Sequence, residues 1–157
     1  MGSICCLTTM IVLKRLPGGQ IELLDSRIPF WTQENGIELI RNMGISGRER
    51  YLMINAIDMV FPLFYGSLLL SFSRRVRSKI IRIAIVGAVV CDWIENICIR
   101  VALSTFPNVS PAALTYGPIF TRLKWLCIGG VLLALWTWRK IVFRDAAAAE
   151  VDRSKRR

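Results

Sequence analysis

Apolar residues fall into three long blocks along this chain, 51–72, 79–103 and 119–138, parted by short polar joints. Each block runs about 20 residues or more, enough for a helix to cross a hydrocarbon core of roughly 30 Å. A fourth apolar block, 4–13, would rise only about 15 Å as a helix. It has no basic residue before it and no small-residue cleavage site after it, so it makes a poor secretory signal. The pattern predicts an all-α fold: a small antiparallel transmembrane helix bundle of three full spans plus a short or truncated N-terminal helix.

Local signals add detail. Thr32 is placed to cap a helix running through Met43 and stopping at Gly44, with Ile37, Ile40 and Met43 on one face. Ser46 and Glu49 have capping-box spacing, which starts the next helix near Gly47. Tyr51, Asn55, Asp58, Pro62 and Tyr65 follow at steps of four and three, one stripe of a helix. Pro62 lacks an amide hydrogen, so the carbonyl of Asp58 loses its helix partner there. The organisation expected is an apolar N-terminal segment (1–13), an outer-side cap (14–50), a three-span bundle (51–140) and a basic inner-side tail (141–157) in which Ala146 to Ala149 form a small helix at most.

Charges inside spans cost several kcal/mol unless they face a partner or water, so they are where function is sought first. Asp58 lies in the first span. Asp92, Glu95 and Asn96 stand on one face of the second at i, i+3 and i+4, with Arg100 one turn further on. Ala84, Gly87, Ala88 and Cys91 continue that face with small residues, which let a neighbouring helix approach closely. Arg122 and Lys124 lie in the third span, where Lys124, Cys127, Gly130, Ala134 and Thr137 form a small or polar stripe. Antiparallel spans place all six charges in their outer halves, and Asp58 with Asp92 or Glu95 is expected to pair with Arg100, Arg122 or Lys124.

Composition and charge agree with a membrane location. Of 157 residues 54% are apolar, and the mean hydropathy is +0.46, too high for an average soluble domain. The net charge of +10 sits beside the spans rather than on a separate basic domain, which argues against nucleic acid as a partner. Arg74, Arg75, Arg77, Lys79 and Arg82 fill the joint between the first two spans without an acid, while residues 104–118 carry no charge. Positive-inside bias therefore places loop 73–79 and the basic C-terminus on the cytoplasmic or matrix side. Aromatic residues mark the ends of the last span: Tyr116, Phe120 and Trp125 outside, Trp136 and Trp138 beside Arg139 and Lys140 inside.

Several chemistries lack their residues. There is no histidine, and Cys5, Cys6, Cys91, Cys98 and Cys127 include no C-x-x-C pair, so neither a metal site nor a cofactor is expected. No serine, cysteine or lysine stands beside a base, so nucleophilic catalysis has no support. Met1-Gly2 with Cys5 and Cys6 departs from an acylation signal at position six, and an outer N-terminus argues against acylation as well. Asn108-Val109-Ser110 is a sequon followed by Pro111 in a loop close to the membrane. Arg153 to Arg157 reads as a plain basic tail.

Leu23-Leu24-Asp25 with Arg27, Gly47-Arg48 with Tyr51, and Asp58 followed by Phe61-Pro62 and Tyr65 form a recognisable series with Asp92-x-x-Glu95-Asn96 and Phe120-Thr121-x-x-Lys124-Trp125. In these motifs, from about Leu23 to Trp138, the chain resembles a family of small, mostly uncharacterised four-helix integral membrane proteins. The resemblance implies a fourth span just before Leu16, shortened in this chain. It singles out Asp58, Asp92, Glu95, Asn96, Thr121 and Lys124 without giving them an activity.

The functional expectation is a non-catalytic accessory or scaffold component of a membrane, in contact with lipid and with a partner membrane protein or a second copy of itself. One alternative is a small-solute or ion carrier using Asp58, Asp92 and Glu95. Another is a lipid-modifying enzyme with one carboxylate as acid or base.

Overall fold

The computed structural model describes residues 32–74, 76 and 78–155, with side chains as far as 142 and at 144. The expected apolar segment at 4–13, Leu23 to Arg27, Cys5, Cys6, Arg75, Arg77 and the side chains of Arg153 to Arg157 lie outside those residues. Among the described residues every regular element is helical: α1 (Gln33–Asn42), α2 (Gly44–Asp58), α3 (Phe61–Ser73), α4 (Lys79–Ser104) and α5 (Pro111–Lys155).

Thr32 Oγ1 accepts the Asn35 amide at 3.4 Å and starts α1, a short amphipathic helix that buries Leu39 and Ile40. Gly44 then adopts φ +65, a conformation that costs glycine little, and the chain turns into α2. Because α2 starts at Gly44, Ser46 lies inside its first turn, and the capping box expected at Ser46 and Glu49 does not set the boundary; the helix has no side-chain cap bond.

The block expected as one kinked helix is broken. α2 ends at Asp58, Met59 and Val60 form a turn, and α3 starts at Phe61 with Pro62 in its first turn, where a missing amide hydrogen does least harm. Ser78 accepts the Ile81 amide at 3.5 Å and opens α4. Pro111 opens α5 eight residues before the expected start, since proline fits the first helical position. α5 then continues to Lys155 with no break at 141, because Ala146 to Ala149 have the highest helix propensity and neither glycine nor proline intervenes.

The long helices lie side by side in opposite directions. A Cβ on Gly87 would stand 3.9 Å from Cys127 Sγ, and Asp92 meets Lys124 and Glu95 meets Thr121, so α4 ascends as α5 descends. On the other flank Asn55 bonds Asn96, Trp93 bonds Met59 and Tyr65 bonds Ala88, which sets α2 and α3 antiparallel to α4. Leu39, Ile40, Tyr51, Ile54, Ile99, Ala102, Leu103, Ala113 and Leu114 form an apolar core at the end where α1, α2, α4 and α5 meet.

Two helical stretches are long and apolar enough to cross a membrane, Gly44–Ser73 and Pro111–Val142, with only 22% and 11% of their most apolar windows buried. The sequence pattern predicts three. α4 is long enough at 26 residues, but Arg82, Asp92, Glu95 and Arg100 leave no stretch of it free enough of charge. Large apolar side chains, among them Leu68, Phe72, Ile80, Ile83, Leu126 and Leu133, stand on the outside of the helices.

Candidate functional site

α4 carries the charges because its buried face is set by helical spacing: Asp92, Glu95, Asn96, Ile99 and Leu103 all turn inward. Asp92 is 13 residues past Lys79 and 12 before Ser104, so the charged layer starts at the middle of α4, with Glu95 and Asn96 in the half nearer Ser104. Ile54 and Ile99 belong to the apolar core on one side of it, and Ile85, Ala88 and Val131 are buried along α4 and α5 on the other.

Lys124 enters from α5 and places Nζ 3.0 Å from Asp92 Oδ1 and 2.5 Å from Glu95 Oε2. The contact with Asp92 is also a hydrogen bond, whereas the approach to Glu95 Oε2 is a charge contact without hydrogen-bond alignment. One turn away on the same helix, Thr121 Oγ1 lies 2.7 Å from Glu95 Oε1 and 3.0 Å from the carbonyl of Gly117. Asn96 Nδ2 donates to Asp92 Oδ1 at 3.4 Å. Asn55 in α2 completes the layer, donating from Nδ2 to both the main-chain carbonyl and Oδ1 of Asn96, at 3.1 and 3.0 Å. Its own Oδ1, in a side chain 2% exposed, meets no donor among the described residues.

Two further bonds tie α3 and the break to α4. Trp93 Nε1 donates to the Met59 carbonyl at 2.9 Å, so the donor for the interrupted helix arrives at Met59, one residue beyond the Asp58 carbonyl that proline was expected to free. The Tyr65 hydroxyl donates to the Ala88 carbonyl at 3.3 Å and faces Asp92. The Met59 carbonyl, at the break, would otherwise lose its partner at a cost of about 1–3 kcal/mol, whereas the Ala88 carbonyl lies inside α4 and takes the Tyr65 hydroxyl in addition to its helical bond.

The residues singled out on sequence therefore divide. Asp92, Glu95, Asn96 and Lys124 meet in one buried layer. Asp58 closes α2 level with Trp93 and half-buried, and Pro62 is buried in the first turn of α3. Arg100 and Arg122 stand on exposed faces, in contrast to their expected place in the cluster. A residue turns about 100° around the axis, so Arg100 sits to the side of Ile99 and Arg122 to the side of Thr121, off the contact line of α4 and α5. Asn55 was legible only as part of the Asp58 stripe, and Thr121 only through its motif with Lys124.

Two carboxylates held by one ammonium are a fold contact of high internal strength, and removing one partner of such a contact is far more harmful than its presence is helpful. Among the described residues, no three His, Cys, Asp or Glu side chains gather as a metal site requires. No family model, curated protein or solved structure matches the chain. The charged layer stands on its own chemistry.

Proposed function

We propose that this chain is a polytopic integral membrane protein acting as a non-catalytic accessory or scaffold component, with α2–α3, α4 and α5 as three antiparallel spans of one bundle. The observation that carries this reading is the direct seating of Lys124 between Asp92 and Glu95. Carboxylates that are engaged by a fixed neighbour hold helices in register, whereas an acid, base or ion site presents them to a substrate. The seating also supports α4 as a third span, since its central charges face α5 and its outward positions, such as Ile80, Ile83, Val86 and Val90, are apolar.

Two apolar helices mostly exposed along their length need a nonaqueous surrounding, and lipid supplies it. The positive-inside bias puts the joint after α3 and the end of α5 on the cytoplasmic or matrix side. Purification in a gentle detergent followed by chemical cross-linking tests the scaffold role: a stoichiometric membrane partner or a defined homo-oligomer is expected, and a bare monomer counts against it. A carrier is the second reading, favoured by the buried Asn55 Oδ1 beside the layer, which meets no donor among the described residues. Solute uptake into liposomes that stops on Asn55→Leu would establish it.

A further inference from the structure

Asp92, Glu95 and Lys124, all ionised, would carry two negative charges against one positive, a net charge of −1 on side chains buried between the helices. A buried charge without compensation is costly enough that such a group takes up or gives up a proton instead. The hydrogen-bond pattern shows where that proton belongs.

Thr121 Oγ1 touches two oxygens, Glu95 Oε1 at 2.7 Å and Gly117 O at 3.0 Å, yet a hydroxyl carries one hydrogen. With Glu95 ionised, the one hydrogen has to be shared between the two oxygens, which leaves each contact weaker than a full hydrogen bond. With a proton on Glu95 Oε1, that group donates to Thr121 Oγ1, Thr121 donates onward to Gly117 O, and both contacts are bonds of ordinary length. Asp92 has the opposite setting, since its Oδ1 accepts from both Lys124 and Asn96. Glu95 is 1% exposed, and its Oε2, though close to the Lys124 ammonium, has no aligned hydrogen-bond donor among the described residues, so the more enclosed carboxylate has fewer aligned hydrogen bonds.

We infer that Glu95 holds a proton, which makes the Asp92, Glu95 and Lys124 trio a neutral internal proton-binding site at the middle of α4. The titratable groups facing Glu95 are Asp92, Cys91 and Cys98 on α4, Lys124 on α5 and Tyr65 on α3; α2 brings the neutral Asn55 to the layer and ends at Asp58. The inference rests on the closed contact that carries the scaffold reading, but its readout is a proton and that of the scaffold reading is an assembly, so either can fail alone.

Infrared spectroscopy of the full chain in micelles at neutral pH is the test. The carbonyl stretch of a protonated carboxylic acid is expected in the wild type, shifted in heavy water, and lost in Glu95→Gln, whose amide still donates to Thr121. No such band, or a band that survives Glu95→Gln, overturns the inference. Should Glu95→Gln not fold, carbon NMR of the wild type labelled at its glutamate carboxyl carbons decides the matter. One glutamate at the protonated position supports the site, and all glutamates at the ionised position refute it.

Discussion

Asn55 and Asn96, 41 residues apart, are joined by two hydrogen bonds from one amide nitrogen, at 3.1 Å to the main-chain carbonyl and 3.0 Å to the side-chain oxygen. The pair links α2 to the face of α4 that holds Asp92 and Glu95, and through Asn96 it reaches Asp92 itself. Lys124 and Thr121 close the same layer from α5, so three helices share one set of polar contacts. Changes to members of that layer are expected to act on helix association before they act on any single helix.

Replacing Lys124 by Met removes the ammonium from the buried Asp92 carboxylate and from Glu95 beside it. A loss of about 3–5 kcal/mol is expected, the cost of leaving a buried ion contact without one partner. Unfolding in mixed micelles measures it. Asp92→Asn together with Lys124→Met should recover much of the loss, because with Glu95 protonated the layer then holds no charge.

Trp93→Phe keeps an aromatic ring, though a smaller one, and deletes the hydrogen bond to the Met59 carbonyl. About 1–3 kcal/mol of stability should be lost. The Leu63 amide, bonded to Val60 across the break, should exchange its hydrogen faster, which hydrogen–deuterium exchange reports.

Gly66 and Gly129 should respond oppositely to alanine. A Cβ on Gly66 would come 2.6 Å from Val89 Cγ2 and push α3 from α4, at a cost of about 1–3 kcal/mol. A Cβ on Gly129 meets nothing within 4 Å, so Gly129→Ala should be neutral or stabilise through helix propensity. Adding Val89→Ala to Gly66→Ala should restore part of the loss, and thermal unfolding of the four proteins gives that coupling.

Three spans require Val76 and Asn108 on opposite sides of the membrane. In a chain freed of its five native cysteines, Val76→Cys and Asn108→Cys should react with an impermeant thiol reagent from opposite faces of oriented vesicles. Labelling of both from one face would leave α4 outside the bilayer and return the protein to two spans.

The sequence by itself determined the helices and what shares a face within each. Thr32 starts α1 as its cap residue, and α4 runs from Lys79 to one residue past the expected end. Asp92, Glu95 and Asn96 turn to one side because backbone geometry fixes spacings of three and four residues. Contacts between helices depend on relative rotation and axial shift, which local spacing does not specify. The tertiary structure therefore decided that Lys124 meets the carboxylates while Arg100 and Arg122 face outward, that Thr121 bonds Glu95, and that Trp93 supplies the donor at the Met59–Val60 break.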